Sequence, residues 1–247
     1  MESVLYAELT PDGFRQRIAA APIAYLPLGT LEWHGEHLPL GADGLQSQGF
    51  FIRLAQEVGG IVLPMLFLGP DRRRETEGLE LYGMDFFAGG QEEQRYETQQ
   101  LTGSAYWVSD DLFLEVLAAI LKQLRRAGFR IAVAHGHGPS THLFQSRIDE
   151  WRDRFELECF VCWGSEHDSE GLGIQVDHAA MNETSLVMAL RPDLVHMERL
   201  PRNLAQWPVA IGGKDPRIHA SAEVGERALR LQTERMTGIL RAALARL

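Results

Sequence analysis

Apolar residues along the chain fall into short continuous blocks separated by longer stretches in which they recur every three or four positions. This alternation predicts strands and helices in turn. The run IAYLPLG, residues 23–29, has the length and continuity of a buried strand. From Leu45 to Val58 the spacing is helical and stops at Gly59-Gly60, and IVLPMLFLG from Ile61 predicts another strand. Between Ser109 and Ala127, the side chains of Leu112, Phe113, Val116, Leu117, Ile120, Leu121 and Leu124 fall on one side of a helix. Ser109 is placed to cap that helix and Gly128 to end it. A short apolar run from Arg130 to Ala134, a helix from Leu143 to Phe155, a strand from Glu158 to Trp163 and a terminal helix from Ala222 to Leu247 complete the pattern.

Strand and helix thus alternate as βαβαβ, which predicts an α/β fold with a mostly parallel sheet covered on both faces. In such folds ligands gather beyond the carboxyl ends of strands, so functional residues are expected just after them. The stretch between Gly69 and Trp107 is polar and glycine-containing, with Arg72-Arg73-Arg74 at one end and Glu92-Glu93 further on. An excursion of that length reads as a lid, a substrate loop or a contact between subunits.

The 247 residues are enough to bury a substantial core, and the chain is expected to form a single domain over 1–247. With 34 acidic against 24 basic residues the formal charge is −10. A surface of that sign repels phosphate backbones and anionic headgroups, so neither nucleic acid nor a membrane is expected as a partner. No run approaches the length of a membrane span and Met1 to Thr10 lacks the make-up of a signal peptide, giving a cytoplasmic expectation. Cys159 and Cys162 have the spacing of a redox or zinc pair, but along a strand residues three apart point to opposite faces, which favours two buried structural thiols.

Directly after the first strand, LGTLEWHGEHLPLGAD sets Glu32, His34, His37 and Asp43 within one short segment. In extended backbone Glu32 and His34 project to the same side, and a loop folding Asp43 back would let its two oxygens bridge neighbouring metals. Each residue alone has a simpler reading: Asp43 as a helix cap, Glu32 as a solvated acid, His34 as a satisfied polar group. Together they favour a site for zinc, manganese or iron. A second cluster, AHGHGPSTH, follows the run ending at Ala134 and adds His135, His137 and His142. Gly136 and Gly138 permit a tight backbone path, with His137 as the expected ligand and the other two imidazoles in supporting roles. A third, VDHAAMNETS, carries Asp177, His178 and Glu183. His178, with Asp177 beside it, suits proton transfer between attacking water and leaving group, while Glu183 reads equally as a helix first-turn acid or as a ligand or catalytic group.

The segments EWHGEHLPLGAD, HGHG and HAAMNETS, in that order, resemble the creatininase (creatinine amidohydrolase) family. ALRPDLV after the third, YAELT near the start and ASAEVGERA near the end extend the resemblance over most of the chain. The resemblance implies a three-layer α/β sandwich, a centre of one or two divalent ions per subunit and a homo-oligomer, often a hexamer. By motif position, Glu32 and His137 would hold one ion and His34 the other, with Asp43 bridging. The family pattern also has a carboxylate two residues after the metal histidine, where this chain has Pro139, so Glu183, Glu166 or a water would have to complete the coordination of the second metal. Ile174, Gln175 and Gly138 stand at positions that contact creatinine in the family's namesake, so creatinine itself is not the expected substrate.

What the resemblance implies, then, is hydrolysis of a carbon–nitrogen bond in a small-molecule amide, cyclic amide or formamide. Other branches of the same family act on cyclic ketones derived from sugars, and a non-catalytic metal-binding scaffold is the alternative of a different class.

Overall fold

The computed structural model describes residues 3–86, 92–100, 106–164 and 166–247. Helix α1 (Pro11–Ala20) is capped by Thr10 and leads into strand β1 (Ile23–Leu28), all six residues of which are buried. Helix α2 (Ala42–Val58) starts three residues earlier than the apolar spacing suggests, and β2 is only Ile61–Val62, because Pro64 ends its ladder and a single bridge from Leu66 to Leu28 follows. Strands β3 (Arg73–Thr76) and β4 (Leu79–Tyr82) form an antiparallel hairpin within the polar excursion.

Helix α3 (Asp110–Ala127) is bounded as its sequence indicates. Ser109 Oγ accepts from Leu112 N, and Gly128 closes the helix in the left-handed conformation. Its buried stripe is narrower than the apolar spacing alone suggests. Phe113, Leu117, Leu121 and Leu124 are buried, whereas Leu112 is 46% exposed. Strand β5 (Ile131–Gly136) runs two residues past Ala134 and carries His135 inside it. The helix expected over 143–155 is two helices, α4 (Gly138–Ser146) and α5 (Ile148–Phe155), parted at Arg147. Then come β6 (Glu158–Phe160), shorter than expected, α6 (Glu166–Ser169), α7 (Met181–Leu190), α8 (Pro216–His219) and the long α9 (Ala222–Leu244).

The main sheet is fully parallel in the order β2-β1-β5-β6. One face packs Phe50, Phe51 and Leu54 of α2 with Leu186 of α7 and Leu229, Met236 and Leu240 of α9. The other packs the α3 stripe with Phe144, Trp151 and Phe155. Helix, sheet and helix make the three layers that the resemblance implies. Cys159 joins one core and Cys162 the other, both as free buried thiols that burial pushes up to about 12, in keeping with a structural role. Among the described residues no helix is long and apolar enough to cross a membrane.

The strand order fixes where a site can form. From β1 the chain moves out to β2, then returns across β1 to β5 on its other side, so the direction of winding reverses between β1 and β5. Helices on either side of such a reversal diverge and leave a crevice at the strands' carboxyl ends. The segment after β1 carries Glu32 and His34, and the residue after β5 is His137. At this point Gly136 is obligatory, since its φ is +149° and a Cβ there would lie 1.6 Å from Leu28 O.

Candidate metal centre

Three chain segments meet in the crevice. Glu32 and His34 descend from the loop after β1, with the loop pinned by Glu32 N donating to Leu40 O. His137 is the N-cap of α4, and its amide donates to Leu28 O at 3.0 Å. Asp43 does not reach back from a loop; it sits in the first turn of α2, where the helix dipole favours its negative charge. Glu183 occupies the first turn of α7.

All four expected ligands converge and are almost wholly buried. Asp43 is the hub: its Oδ2 lies 3.1 Å from His137 Nδ1 and its Oδ1 3.5 Å from His34 Nε2. Glu32 Oε1 lies 3.2 Å from His137 Nδ1 and 4.0 Å from His34 Nε2. Each imidazole is oriented through its other nitrogen. His34 Nδ1 meets Glu32 O at 3.1 Å and His137 Nε2 meets Pro70 O at 3.1 Å. Carbonyls can only accept, so those two nitrogens carry hydrogens, and His34 Nε2 and His137 Nδ1 face the carboxylates as the nitrogens that would hold an ion once deprotonated.

Glu183 joins them, with Oε2 3.6 Å from His34 Nε2 while also accepting from Ala179 N at 2.7 Å. It is therefore both a first-turn acid and a potential ligand. The Glu166 side chain lies outside the described residues. A further acid was not legible in the sequence. Asp71, at the start of the excursion, brings Oδ2 to 3.8 Å from His137 Nε2, and its Oδ1 accepts from Arg72 N at 2.6 Å. Gly83, at φ +51°, makes room for it, because a Cβ there would lie 2.2 Å from Asp71 Oδ2. Nothing near Asp71 in the sequence has ligand spacing; the only signal is its place in a polar excursion that starts beyond β2.

Ligand atoms of His34, Asp43 and Glu183 lie within 4.8 Å of one another, as do those of Glu32, Asp71 and His137, and those of Glu32, His34 and His178. Glu32, Asp43, Asp71, Asp177 and Glu183 line a single cavity of about 320 Å³ together with His137 and His178. Without a cation these charges redistribute protons among themselves. Burial opposes charge on both imidazoles, yet Asp43, Glu183 and Glu32 outweigh it and raise His34 to about 10, and Glu32 and Asp43 raise His137 well above its ordinary value. Burial would raise Glu32 too, but His137, His178 and His34 bring it down to about 2, and Asp43 is likewise held well below the carboxylate range. For the two acids facing other acids the balance reverses: burial and Glu32 raise Asp71 to about 7, and burial and Asp43 raise Glu183 well above its usual value. Carboxylates crowded to this degree call for positive charge between them.

The donor set fits a divalent ion on a further ground. His34 Nε2 is fully buried and has no hydrogen-bond partner, although three carboxylate oxygens surround it at 3.5–4.0 Å. Such a separation is too long for a hydrogen bond and leaves space for a shared ion. Mixed imidazole and carboxylate donors suit zinc, manganese or iron.

The remaining candidates separate clearly. His178 stacks on His34 with ring centroids 4.5 Å apart, and its Nε2 donates to Trp33 O at 2.9 Å. Its Nδ1 lies 4.0 Å from Glu32 Oε1, and burial together with the neighbouring His34 lowers its pKa. Asp177, expected beside His178 in proton transfer, instead turns both oxygens to α7: Oδ2 accepts from Asn182 N at 2.7 Å and Oδ1 from Glu183 N at 3.1 Å. His135 is engaged at both nitrogens, by Ile174 O and Cys162 N, and His142 meets Gly138 O, so both serve the scaffold. His37 meets Thr184 Oγ1 at 2.8 Å and ties the first loop to α7. Gln175 grips Asp43, donating from Nε2 to Oδ1 at 2.9 Å and to its carbonyl at 3.2 Å, and accepting from Ser47 Oγ at 2.8 Å.

Comparison with known proteins gives one consistent answer. The family model described as creatininase, creatinine amidohydrolase, matches residues 7–240. A creatinine amidohydrolase of Pseudomonas putida is 29% identical over 218 residues, which cover 81% of this chain and 76% of that protein. A crystal structure of creatinine amidohydrolase (creatininase) matches the fold with a TM-score of 0.74 at 23% identity, covering 99% of both chains. A creatininase structure described as the Mn form matches at 0.73 and 23% identity, over 98% of this chain and 99% of that one. A creatininase mutant described as Zn-Zn type matches at 0.73 and 22%, over 99% of each.

Proposed function

The chain belongs to the creatininase family, and from that membership we propose that it is a metal-dependent hydrolase cleaving a carbon–nitrogen bond of a small-molecule amide, cyclic amide or formamide other than creatinine. One observation carries the reading, namely the unpartnered, buried Nε2 of His34 facing oxygens of Asp43, Glu183 and Glu32. In this reading His34, Asp43 and Glu183 would hold one divalent cation, and Glu32 and His137, with Asp71 beside them, would hold the other. Asp43, with one oxygen toward each histidine, belongs to both.

Zinc, manganese or iron held there would supply an acidified water and a Lewis acid for the carbonyl. The chain's own groups move the proton. His178 donates its Nε2 hydrogen to Trp33 O, so Nδ1 carries a lone pair beside Glu32. Its lowered pKa keeps that ring neutral near pH 7 and able to accept the proton of the attacking water. As the new carbon–oxygen bond forms and the carbon–nitrogen bond breaks, the same nitrogen returns the proton to the leaving amine. Gln175 fixes the Asp43 carboxylate, and the cluster is buried.

A substrate other than creatinine is supported by two positions. The Ile174 side chain is buried in the core and the Gln175 amide is committed to Asp43 and Ser47, so neither is available for the contacts that the family resemblance would assign there. Self-association into a homo-oligomer belongs to the same reading and rests on the family resemblance alone.

The reading is tested by metal analysis of protein loaded with zinc or manganese, alongside a hydrolysis screen of formamides and lactams. Two ions per chain and turnover of at least one compound class are expected. His178→Ala should lower turnover by roughly two to four orders of magnitude with metal content unchanged. A chain that retains no ion would overturn the metal assignment, and full turnover by the variant would remove His178 from the reaction.

A further inference from the structure

The excursion delivers two consecutive residues to the cavity. Asp71 faces His137, and Arg72 lines the same cavity as the only lysine or arginine in its wall among the described residues. The strap is anchored on both sides of this pair, by Trp107 Nε1 donating to Asp71 O at 3.0 Å and by Gly83 N donating to Arg72 O at 2.9 Å.

The three arginines of the run are not equivalent. Arg73 is paired with Glu80, and Arg74 donates to Thr98 Oγ1 while lying 4.3 Å over the Phe86 ring. Arg72 has no carboxylate at ion-pair distance among the described residues. Its guanidinium contacts Met84 Sδ at 4.0 Å and lies 5.5 Å from the Phe86 ring centroid. A thioether and an aromatic face steer a guanidinium without neutralising it. Every carboxylate in the cavity already faces a histidine or a helix amide, which leaves one permanently charged, forked donor uncommitted at the mouth of the site.

We propose that Arg72 is a specificity-determining residue that binds an oxyanion of the substrate, a carboxylate or a phosphate, placed close to the bond being hydrolysed. The inference rests on the metal-hydrolase reading above and narrows its substrate class to anionic amides or formamides. A planar guanidinium one residue from Asp71 would fix such a group bidentately and set the distance between it and the reacting carbonyl. It also accounts for a cationic wall residue in a protein whose net charge is −10.

The test uses metal-loaded full-length protein and three hydroxamates that share a metal-binding head. Acetohydroxamate has a neutral arm, succinic monohydroxamate a carboxylate arm and 3-phosphonopropionohydroxamate a phosphonate arm. Calorimetry should show one charged arm binding roughly tenfold to a hundredfold tighter than acetohydroxamate, the size expected of a charge-assisted pair. Whichever arm gains more identifies the source of the oxyanion. Arg72→Gln should abolish that preference while leaving acetohydroxamate affinity and metal content as they were. Equal charged-to-neutral ratios in the two proteins, or no preference in the parent, would overturn the anion site alone. Absence of metal-dependent binding by all three would overturn the hydrolase reading and the anion site with it.

Discussion

Asp43 Oδ2 stands 3.1 Å from Nδ1 of His137, a residue 94 positions away in the chain. The contact joins the first turn of α2 to the end of β5 across the point where the sheet reverses its winding, and it sets the two halves of the candidate centre at a fixed separation. Because the other oxygen of Asp43 faces His34, one substitution reaches both halves. Asp43→Ala is expected to remove both ions rather than one. Thermal unfolding with and without added zinc checks this, since a ligand at a hundred times its Kd adds about 2.7 kcal/mol to the folded state. The variant should show none of that shift. A variant that still binds two ions would show that Asp43 is not shared.

Asp71 is expected to act on only one half. Its oxygen approaches His137 and Glu32, whereas Glu183 approaches His34. Asp71→Asn removes the charge at constant shape and should weaken one ion about 10- to 100-fold while the other keeps its affinity. Titration with zinc under chelator competition separates the two. Equal weakening of both ions would mean that the residue stabilises the fold of the strap and not the ligand set.

Glu32, His34, Asp43, His137, His178 and Glu183 were legible in the sequence because each sits in a dense motif just past a strand or at the start of a helix, where a parallel α/β sheet exposes its ligands. The mostly parallel sheet followed from the same alternation of apolar blocks, whereas the order of its strands did not. Asp71 was not legible, since its approach to His137 depends on a strap closed by Gly83, Trp107 and a short hairpin, contacts set by tertiary packing with no periodic trace. The contacts of Asp177 were hidden for a related reason: an acid next to a histidine looks like a proton relay, and an acid just before a helix also finds the unpaired amides of the first turn. The split of the expected 143–155 helix at Arg147 is equally invisible to apolar spacing, which continues across the break.

The capping role of Asp177 separates from catalysis by experiment. Asp177→Ala should cost roughly 1–2 kcal/mol of stability, the usual range for a lost cap, read from denaturant midpoints. Its carboxyl is raised to about 6 by burial, partly offset by the amides of Asn182 and Glu183. If the group serves only α7, the pH profile of turnover keeps its shape in Asp177→Asn. Loss of a limb near pH 6 in that variant would restore Asp177 to the reaction.

The metal-free protein should become less stable as pH rises above neutrality, and ions should cancel the trend. His34, raised from 6.5 to about 10 by Asp43, Glu183 and Glu32, keeps its proton in the folded state at pH 7–9 while an unfolded histidine has lost it. His137 is shifted in the same direction, as are Glu183 and, to about 7, Asp71. Each such group makes the folded chain bind more protons than the unfolded one, so its contribution is complete below the unfolded pKa and is lost as pH climbs through the folded value. For every group of this kind the slope is about 1.4 kcal/mol per pH unit within its window. His37 and His135, both lowered to about 4 by burial, act oppositely but only below pH 6.5 and do not offset the loss. Chelator-treated protein is therefore expected to melt at progressively lower temperature from pH 7 to pH 9. Metal-loaded protein, whose ligands have already surrendered their protons, should show a flat profile and release protons on binding, measured by calorimetry in buffers of different ionisation enthalpy. A metal-free Tm that rises over the same interval would show that the histidines are not protonated by the surrounding acids, and the charge balance inferred for the centre would fail.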